Sequence, residues 1–191
     1  LEPCAHFGKT PPCSDLIIEH KLSKVVIGVK DPYHEVAGKG IARMKKAGIK
    51  VITGVLEEEG KEINKFFFKY VTSGIPYITS KAAQTIDEKI ADDRYRSKWI
   101  SSTESRSTVH KLRSVYDAVL VGANTVKYDN PKLHVRVVTG RNPYRIIIDK
   151  DLALKHRYDV YKYADGQTIV ITSLKANKKK KKKKNKKKKI V

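Results

Sequence analysis

The chain is 191 residues long, 40% apolar and formally +21 at neutral pH, which makes it long enough to bury a core and too apolar to belong with disordered chains. No apolar run approaches the roughly 20 residues needed to span a bilayer, and two cysteines are too few for a disulfide framework, which points to a reducing, cytoplasmic setting without membrane partners. The charge is uneven: Lys178–Lys184 and Lys186–Lys189 hold eleven of the 41 basic residues, and the remainder carries about +10, suited to anionic substrates such as phosphate esters and specific for neither DNA nor RNA.

The first element is a loop, LEPCAHFGKTPPC, stiffened by Pro3, Pro11 and Pro12 and carrying Cys4 and Cys13. Ser14 is placed to cap a short helix through Leu16, Ile17 and Ile18. Val25–Val29 is a β-branched run that reads as a buried strand. KGIARMKKAG reads as a helix stopped by Gly48, and Lys50–Val55 as the next strand. Helix alternating with strand predicts a mostly parallel sheet in an α/β fold.

A longer helix is expected from Leu56 to Ser73, with Glu57, Glu58 and Glu59 at its positive end. Ile63, Phe67 and Tyr70 recur at i, i+4 and i+7 and read as a core-facing stripe. Gly74, Ile75 and Pro76 break the pattern and mark a domain boundary, giving domains 1–74 and 75–176 before a disordered lysine tail, 177–191.

Beyond the boundary PYITSKAA alternates like a strand. Ser101 and Glu104 stand at capping-box spacing before a helix whose inner face would carry Val109, Leu112 and Tyr116. Arg106, His110 and Arg113 share another face of that helix. AVLVGANTV, RIIID and TIVIT read as three further strands, the first running into a Gly-containing turn. The Lys/Asn tail is low-complexity, lacks aromatic stacking partners and would at best bind polyanions without sequence preference.

By themselves the two thiols admit three readings: a disulfide, two small buried hydrophobes, or half of a metal site. Pro-Cys followed by a second Cys just before a helix is also the ligand arrangement of zinc nucleobase deaminases, and a helix N-terminus helps to hold a thiol deprotonated for metal.

The whole string decides among them. LEPCAHFGKTPPC, with DP at Asp31-Pro32 and VAGKGI at Val36–Ile41, closely resembles the deaminase domain of the bifunctional riboflavin-biosynthesis deaminase/reductase family. The resemblance implies a partial cytidine-deaminase-like domain with Cys4 and Cys13 as Zn²⁺ ligands. That family's third ligand and proton shuttle lie in an H-x-E motif, and His20, His34 and His110 all lack a Glu two residues on. No catalytic residue is therefore assigned, and the expectation is a chain truncated at both ends that does not deaminate.

The resemblance runs on through KAAQTID (Lys81–Asp87), SKWIS (Ser97–Ser101), HKLR (His110–Arg113), VGANTV (Val121–Val126) and DNPKLHVR (Asp129–Arg136). It implies a partial dihydrofolate-reductase-like domain that uses NADPH to open the ribose of a phosphorylated ribosylamino-pyrimidine into a ribityl chain. Carried over by position, Ala83, Trp99, Thr125 and Asp129 would contact the cofactor, and Ser97, Arg113, Leu133 and Arg136 the substrate. Two arginines can fork onto a dianionic phosphate. Glu88 stands where the family usually has Gly, and the family's glycine-rich cofactor segment lies beyond residue 176, so little hydride transfer is expected of this chain. The intact family member would be a homo-oligomer. Two rival readings are a polybasic nucleic-acid-binding protein on a degenerate α/β scaffold and a reductase-only protein.

Overall fold

Short β-branched runs alternate with amphipathic segments along most of the chain, and the two structural units that result are both built on parallel strands. The computed structural model describes residues 1–163 and 165–177 and the backbone of 189–190. Contacts divide the chain after Ser80, into Leu1–Ser80 and Lys81–Val191.

In the first unit α1 (Cys13–Glu19) leads to β1 (Lys24–Ile27), α2 (Lys39–Lys46), β2 (Lys50–Thr53), α3 (Glu57–Ile63) and α4 (Lys65–Ser73). β1 and β2 pair in parallel, with Val25 opposite Val51 and Ile27 opposite Thr53. Ile27, Met44 and Ile49 form the core, with Ile17, Ile18 and Ile41 packed against it. Gly48, at φ +84, ends α2 in the left-handed conformation that glycine adopts without steric cost.

The N-terminal loop is docked on α2 by two features. Glu2 is buried, and its carboxylate accepts hydrogen bonds from the backbone N–H groups of Gly38 at 2.8 Å, Ile41 at 3.1 Å and Asp31 at 3.4 Å. Helix-start donors that would otherwise be orphaned are thereby satisfied by an anion at the positive end of the helix. At Gly40 the loop runs so close that a Cβ would lie 1.9 Å from the Pro3 carbonyl oxygen.

The second unit runs α5 (Thr103–Val115), β3 (Ala118–Gly122), α6 (Ala123–Asp129), β4 (Tyr144–Ile148), a 3₁₀ turn (Asp159–Tyr161), β5 (Thr168–Ile171) and β6 (Lys189–Ile190). Its sheet has the order β3-β4-β5-β6, all pairs parallel. Val126 from α6 and Leu133 from the following loop pack with Ile147 and Val170 of the sheet and with Leu152, Leu154 and Val160. The expected lysine tail falls mainly on residues 178–188, outside the described residues.

Several local expectations are revised. The single helix over 56–73 is two helices, because the chain turns at Asn64, whose side-chain amide donates to the Gly60 carbonyl at 2.7 Å. The apolar stripe across that break is not core: Ile63 is 79% and Tyr70 62% exposed. PYITSKAA forms no strand, since no described strand lies beside it to take its backbone groups. Pro12 rather than Ser14 precedes α1, and Ser14 is buried within the helix. The cap of α5 is Ser102, one residue later than expected, its hydroxyl accepting from the Ser105 N–H at 3.2 Å. Most consequentially, the buried residue of α5 is His110, while Leu112 is 40% exposed.

Replacing Gly40 by Ala should lift the loop from α2 and cost the first unit about 1–3 kcal/mol, the range for overpacking a tight contact. Equilibrium unfolding checks the cost. Faster reaction of Cys4 and Cys13 with a thiol reagent in the folded variant checks the displacement.

Candidate functional site

The first unit brings Cys4 and Cys13 together. The Cys13 N–H donates to the Cys4 sulfur at 3.3 Å, and the Ser14 N–H donates to the Cys4 carbonyl at 3.1 Å, so the start of α1 is clipped to the Pro3-Cys4 bend. A hydrogen bond between the thiols, and then the charge of a Cys4 thiolate, push the Cys13 thiol above its ordinary value. Both cysteines are free, Cys4 half-buried and Cys13 exposed. Two adjacent sulfur donors suit a soft divalent ion such as Zn²⁺. Among the described residues no group of three or more His, Cys, Asp or Glu is assembled for a metal, so the donor set fits only in part.

In the second unit four sets of contacts hold the segment leading into α5. The Asp92 carboxylate accepts from the backbone N–H groups of Arg94 at 3.0 Å and Arg96 at 2.8 Å, and from the Arg96 Nε at 2.6 Å. These bonds, the Arg96 backbone one first, hold the Asp92 carboxyl below the usual carboxylate range. Next to this turn Tyr95 stacks on Tyr128 of α6, centroids 4.6 Å apart and planes 13° apart. The Ser97 hydroxyl donates to Asp129 Oδ1 at 2.7 Å, joining the last residue of α6 to the same segment. Trp99 is 74% exposed, with one ring face against the Arg106 guanidinium, 4.4 Å from the centroid. Arg106 is itself fixed, donating to the Ser101 carbonyl and to Thr103 Oγ1.

The second cluster lies between α5 and the loop after α6. Asn130, at φ +43, ends α6 in the left-handed conformation, and Leu133, also at positive φ, sends its side chain into the core. Fixing Leu133 there brings Arg136 back to α5, where its backbone N–H donates to His110 Nδ1 at 3.3 Å. Burial, and then the Arg136 charge, push the Arg113 guanidinium below its ordinary value. His110 is depressed by burial and then by Arg113, Arg136 and His134, and His134 by burial and Arg136. The loop bearing Arg136 is thus tied to α5 at His110, with the Arg113 and His134 charges felt nearby, and no carboxylate is paired with either arginine among the described residues.

Of the expected site residues, Ser97 is bonded to Asp129, and Arg113 interacts with Arg136. Leu133 can offer a ligand only its main chain, because its side chain is core. Ala83 is half-buried in an irregular segment and Thr125 is exposed on α6, with no hydrogen bond to the other six among the described residues. Arg106, His110 and Asp92 were not named as site residues; Arg106 backs Trp99, His110 accepts from Arg136, and Asp92 closes the turn just before Ser97. Their signal was the i, i+4, i+7 row that Arg106 and His110 share with Arg113. For Asp92 sequence carried no comparable signal.

The class defined by these features is an α/β protein with parallel sheets and an unneutralised basic cluster in its second unit. The family profile "RibD C-terminal domain" matches residues 76–190, and the chain belongs to that family. It is 48% identical over 179 residues to the riboflavin biosynthesis protein RibD of Aquifex aeolicus, a match covering 93% of this chain and 50% of the relative. With the protein of the same name from Bacillus amyloliquefaciens it shares 41% identity over 174 residues, 91% of this chain and 47% of the relative. Among solved structures, the diaminohydroxyphosphoribosylaminopyrimidine deaminase/5-amino-6-(5-phosphoribosylamino)uracil reductase of Thermotoga maritima superposes with a TM-score of 0.85 at 48% identity, over 92% of this chain and 50% of that one. Acinetobacter baumannii RibD gives 0.86 at 30% identity, over 100% of this chain and 53% of that one. The chain thus spans about half the length of these relatives, and the matches extend over both units. No helix among the described residues is long and apolar enough to cross a membrane.

Glu88, where the resemblance implies Gly, takes a backbone conformation that favours glycine. It sits at φ +64, closing a turn in which its N–H donates to the Thr85 carbonyl at 3.0 Å. A non-glycine residue there costs about 1–2 kcal/mol, partly offset by the lower unfolded-state entropy of a side-chain-bearing residue. Glu88→Gly should therefore stabilise the second unit by about 0.5–1 kcal/mol in equilibrium unfolding.

Asp92 gives a pH dependence. A carboxyl held below its ordinary value contributes order above that value and loses it as pH falls through the folded one. Trp99, the only tryptophan, reports this segment. Its fluorescence should stay constant down through the usual carboxylate range and change only in stronger acid, whereas Asp92→Asn should show the acid-state signal already at neutral pH.

Proposed function

We propose that the second unit contributes to an NADPH-dependent reductase of riboflavin biosynthesis that acts on a phosphorylated ribosylamino-pyrimidine. The observation that carries this reading is the Arg136 N–H bonded to His110 on the helix of Arg113, with no carboxylate paired to either arginine among the described residues. A phosphate dianion is the ligand chemistry that such a pair matches, because each fork can give two parallel charge-assisted hydrogen bonds. The family membership and the name of the Thermotoga relative supply the substrate class.

In this reading Arg113 and Arg136 hold the phosphate end of the substrate, with the Leu133 main chain fixing the approach of the loop. The Ser97 hydroxyl, held by Asp129, is oriented to contact the sugar. Trp99 presents its ring, backed by Arg106, for stacking against the cofactor, and Ala83, Thr125 and Asp129 complete the cofactor's contacts. NADPH, when bound, supplies the hydride. The protein's part is to align the two molecules and exclude water from them.

Cys4 and Cys13 would give two thiolates to Zn²⁺ in a deaminase site of the same pathway. No step is derived through that ion, since the described residues provide no third ligand.

The test uses the full chain and its single Trp. Titration with NADPH should quench Trp99 fluorescence saturably, and Asp129→Ala should weaken the cofactor about tenfold, the value of one well-placed contact of roughly 1.4 kcal/mol. Ribose 5-phosphate should bind separately and be lost with Arg113→Ala. A chain that binds neither molecule would end the reading.

A further inference from the structure

The row Arg106, His110, Arg113 on α5 contains one residue that no part of this reading uses directly. His110 is 5% exposed and is the buried residue of α5, and a polar side chain so placed calls for a partner. Its partner is the backbone N–H of Arg136, donated to Nδ1 at 3.3 Å. For Nδ1 to accept, the imidazole must be neutral with its proton on Nε2. The surroundings enforce that state, because burial, Arg113, Arg136 and His134 all disfavour a third cation.

The loop that bears Arg136 needs this tether. It leaves α6 through Asn130 and Leu133, both at positive φ, and Arg136 itself is exposed. Arg136 is held neither by an ion pair nor by a strand among the described residues, and it faces the repulsion of Arg113. Left to electrostatics, the two arginines would separate in the absence of anion.

We propose that His110 is the positioning residue of the arginine pair: its Nδ1 accepts the Arg136 N–H and fixes the 133–136 loop against the helix carrying Arg113, so the phosphate site is preorganised. The inference rests on the reading of Arg113 and Arg136 as a phosphate site. It assigns His110 no contact with substrate or cofactor.

Two variants separate positioning from general packing. His110→Asn places a carbonyl oxygen where Nδ1 stood, one bond from Cγ in both side chains, and keeps the acceptor without a titrating group. His110→Leu keeps the bulk and removes the acceptor. Affinity of the full chain for ribose 5-phosphate, measured by calorimetry, should be within about twofold of wild type for Asn and about tenfold weaker for Leu. In parallel, the Arg136 amide should exchange slowly with solvent in wild type and His110→Asn. This second measurement needs no Leu variant, should that one fail to fold.

Wild-type binding with equal affinities in the two variants would overturn the positioning role and leave the phosphate site standing. So would an Arg136 amide that exchanges at the rate of an open chain in the wild-type protein. Absence of any saturable ribose 5-phosphate binding by wild type would overturn the phosphate reading and the positioning role with it.

Discussion

The hydrogen bond from the Arg136 N–H to His110 draws a cationic loop back toward a helix that carries Arg113. With no carboxylate paired to either arginine among the described residues, this is an electrostatic liability that the second unit must tolerate. Two unit charges 4 Å apart repel by about 1 kcal/mol in water and about 4 kcal/mol near a protein surface. Against this stand the core anchoring of Leu133, the left-handed turn at Asn130 and the hydrogen bond from Arg136 to His110. In the proposed reading a dianion would turn that repulsion into attraction, and a site assembled before its ligand arrives loses less conformational freedom on binding.

The first unit solves a related problem with the opposite charge. A loop that brings two sulfurs together has no regular structure to hold it, so its anchor is a buried carboxylate, Glu2, seated on the donors at the start of α2. Gly40 allows the approach and the prolines limit the alternatives. In both units a short irregular stretch carries the candidate chemistry, and a helix supplies its support: α2 through backbone donors, α5 through a row of side chains. Loops positioned on a rigid scaffold are where such residues usually lie.

How much of this was legible in the sequence varies with the range of the interaction. β-branched runs such as Val25–Ile27 and Arg145–Ile148 located the strands, and Gly48 stopped its helix, because those signals are local. The cysteine loop and the HKLR and DNPKLHVR motifs nominated the candidate residues only through their resemblance. The inward face of α5 was misread, since apolar spacing favoured Val109 and Leu112 and nothing local announces that Arg136 will arrive from 26 positions away to satisfy His110. The stripe of Ile63, Phe67 and Tyr70 failed for the complementary reason: periodicity assumes an unbroken helix, and Asn64 breaks it.

Glu88 shows how a departure from a pattern becomes physical once the backbone is seen. From sequence a Glu in place of Gly raised a question of charge near a cofactor. In the structure the constraint is conformational, since the turn that Thr85 opens requires positive φ at its fourth residue. The Thr85 hydroxyl accepts from the Lys89 N–H at 2.9 Å and donates to Asp87 Oδ1, so the turn is held from both sides while Glu88 carries the strain. The turn tolerates the residue because its other bonds over-determine it. The segment that follows is tied down in the same way, by the Asp92 turn within it and by modest contacts of Tyr95, Ser97 and Trp99 to two different helices. Since each tie fixes only one point, loss of one should loosen a neighbour without releasing the whole, whereas loss of His110 removes the hydrogen bond that ties Arg136 to α5.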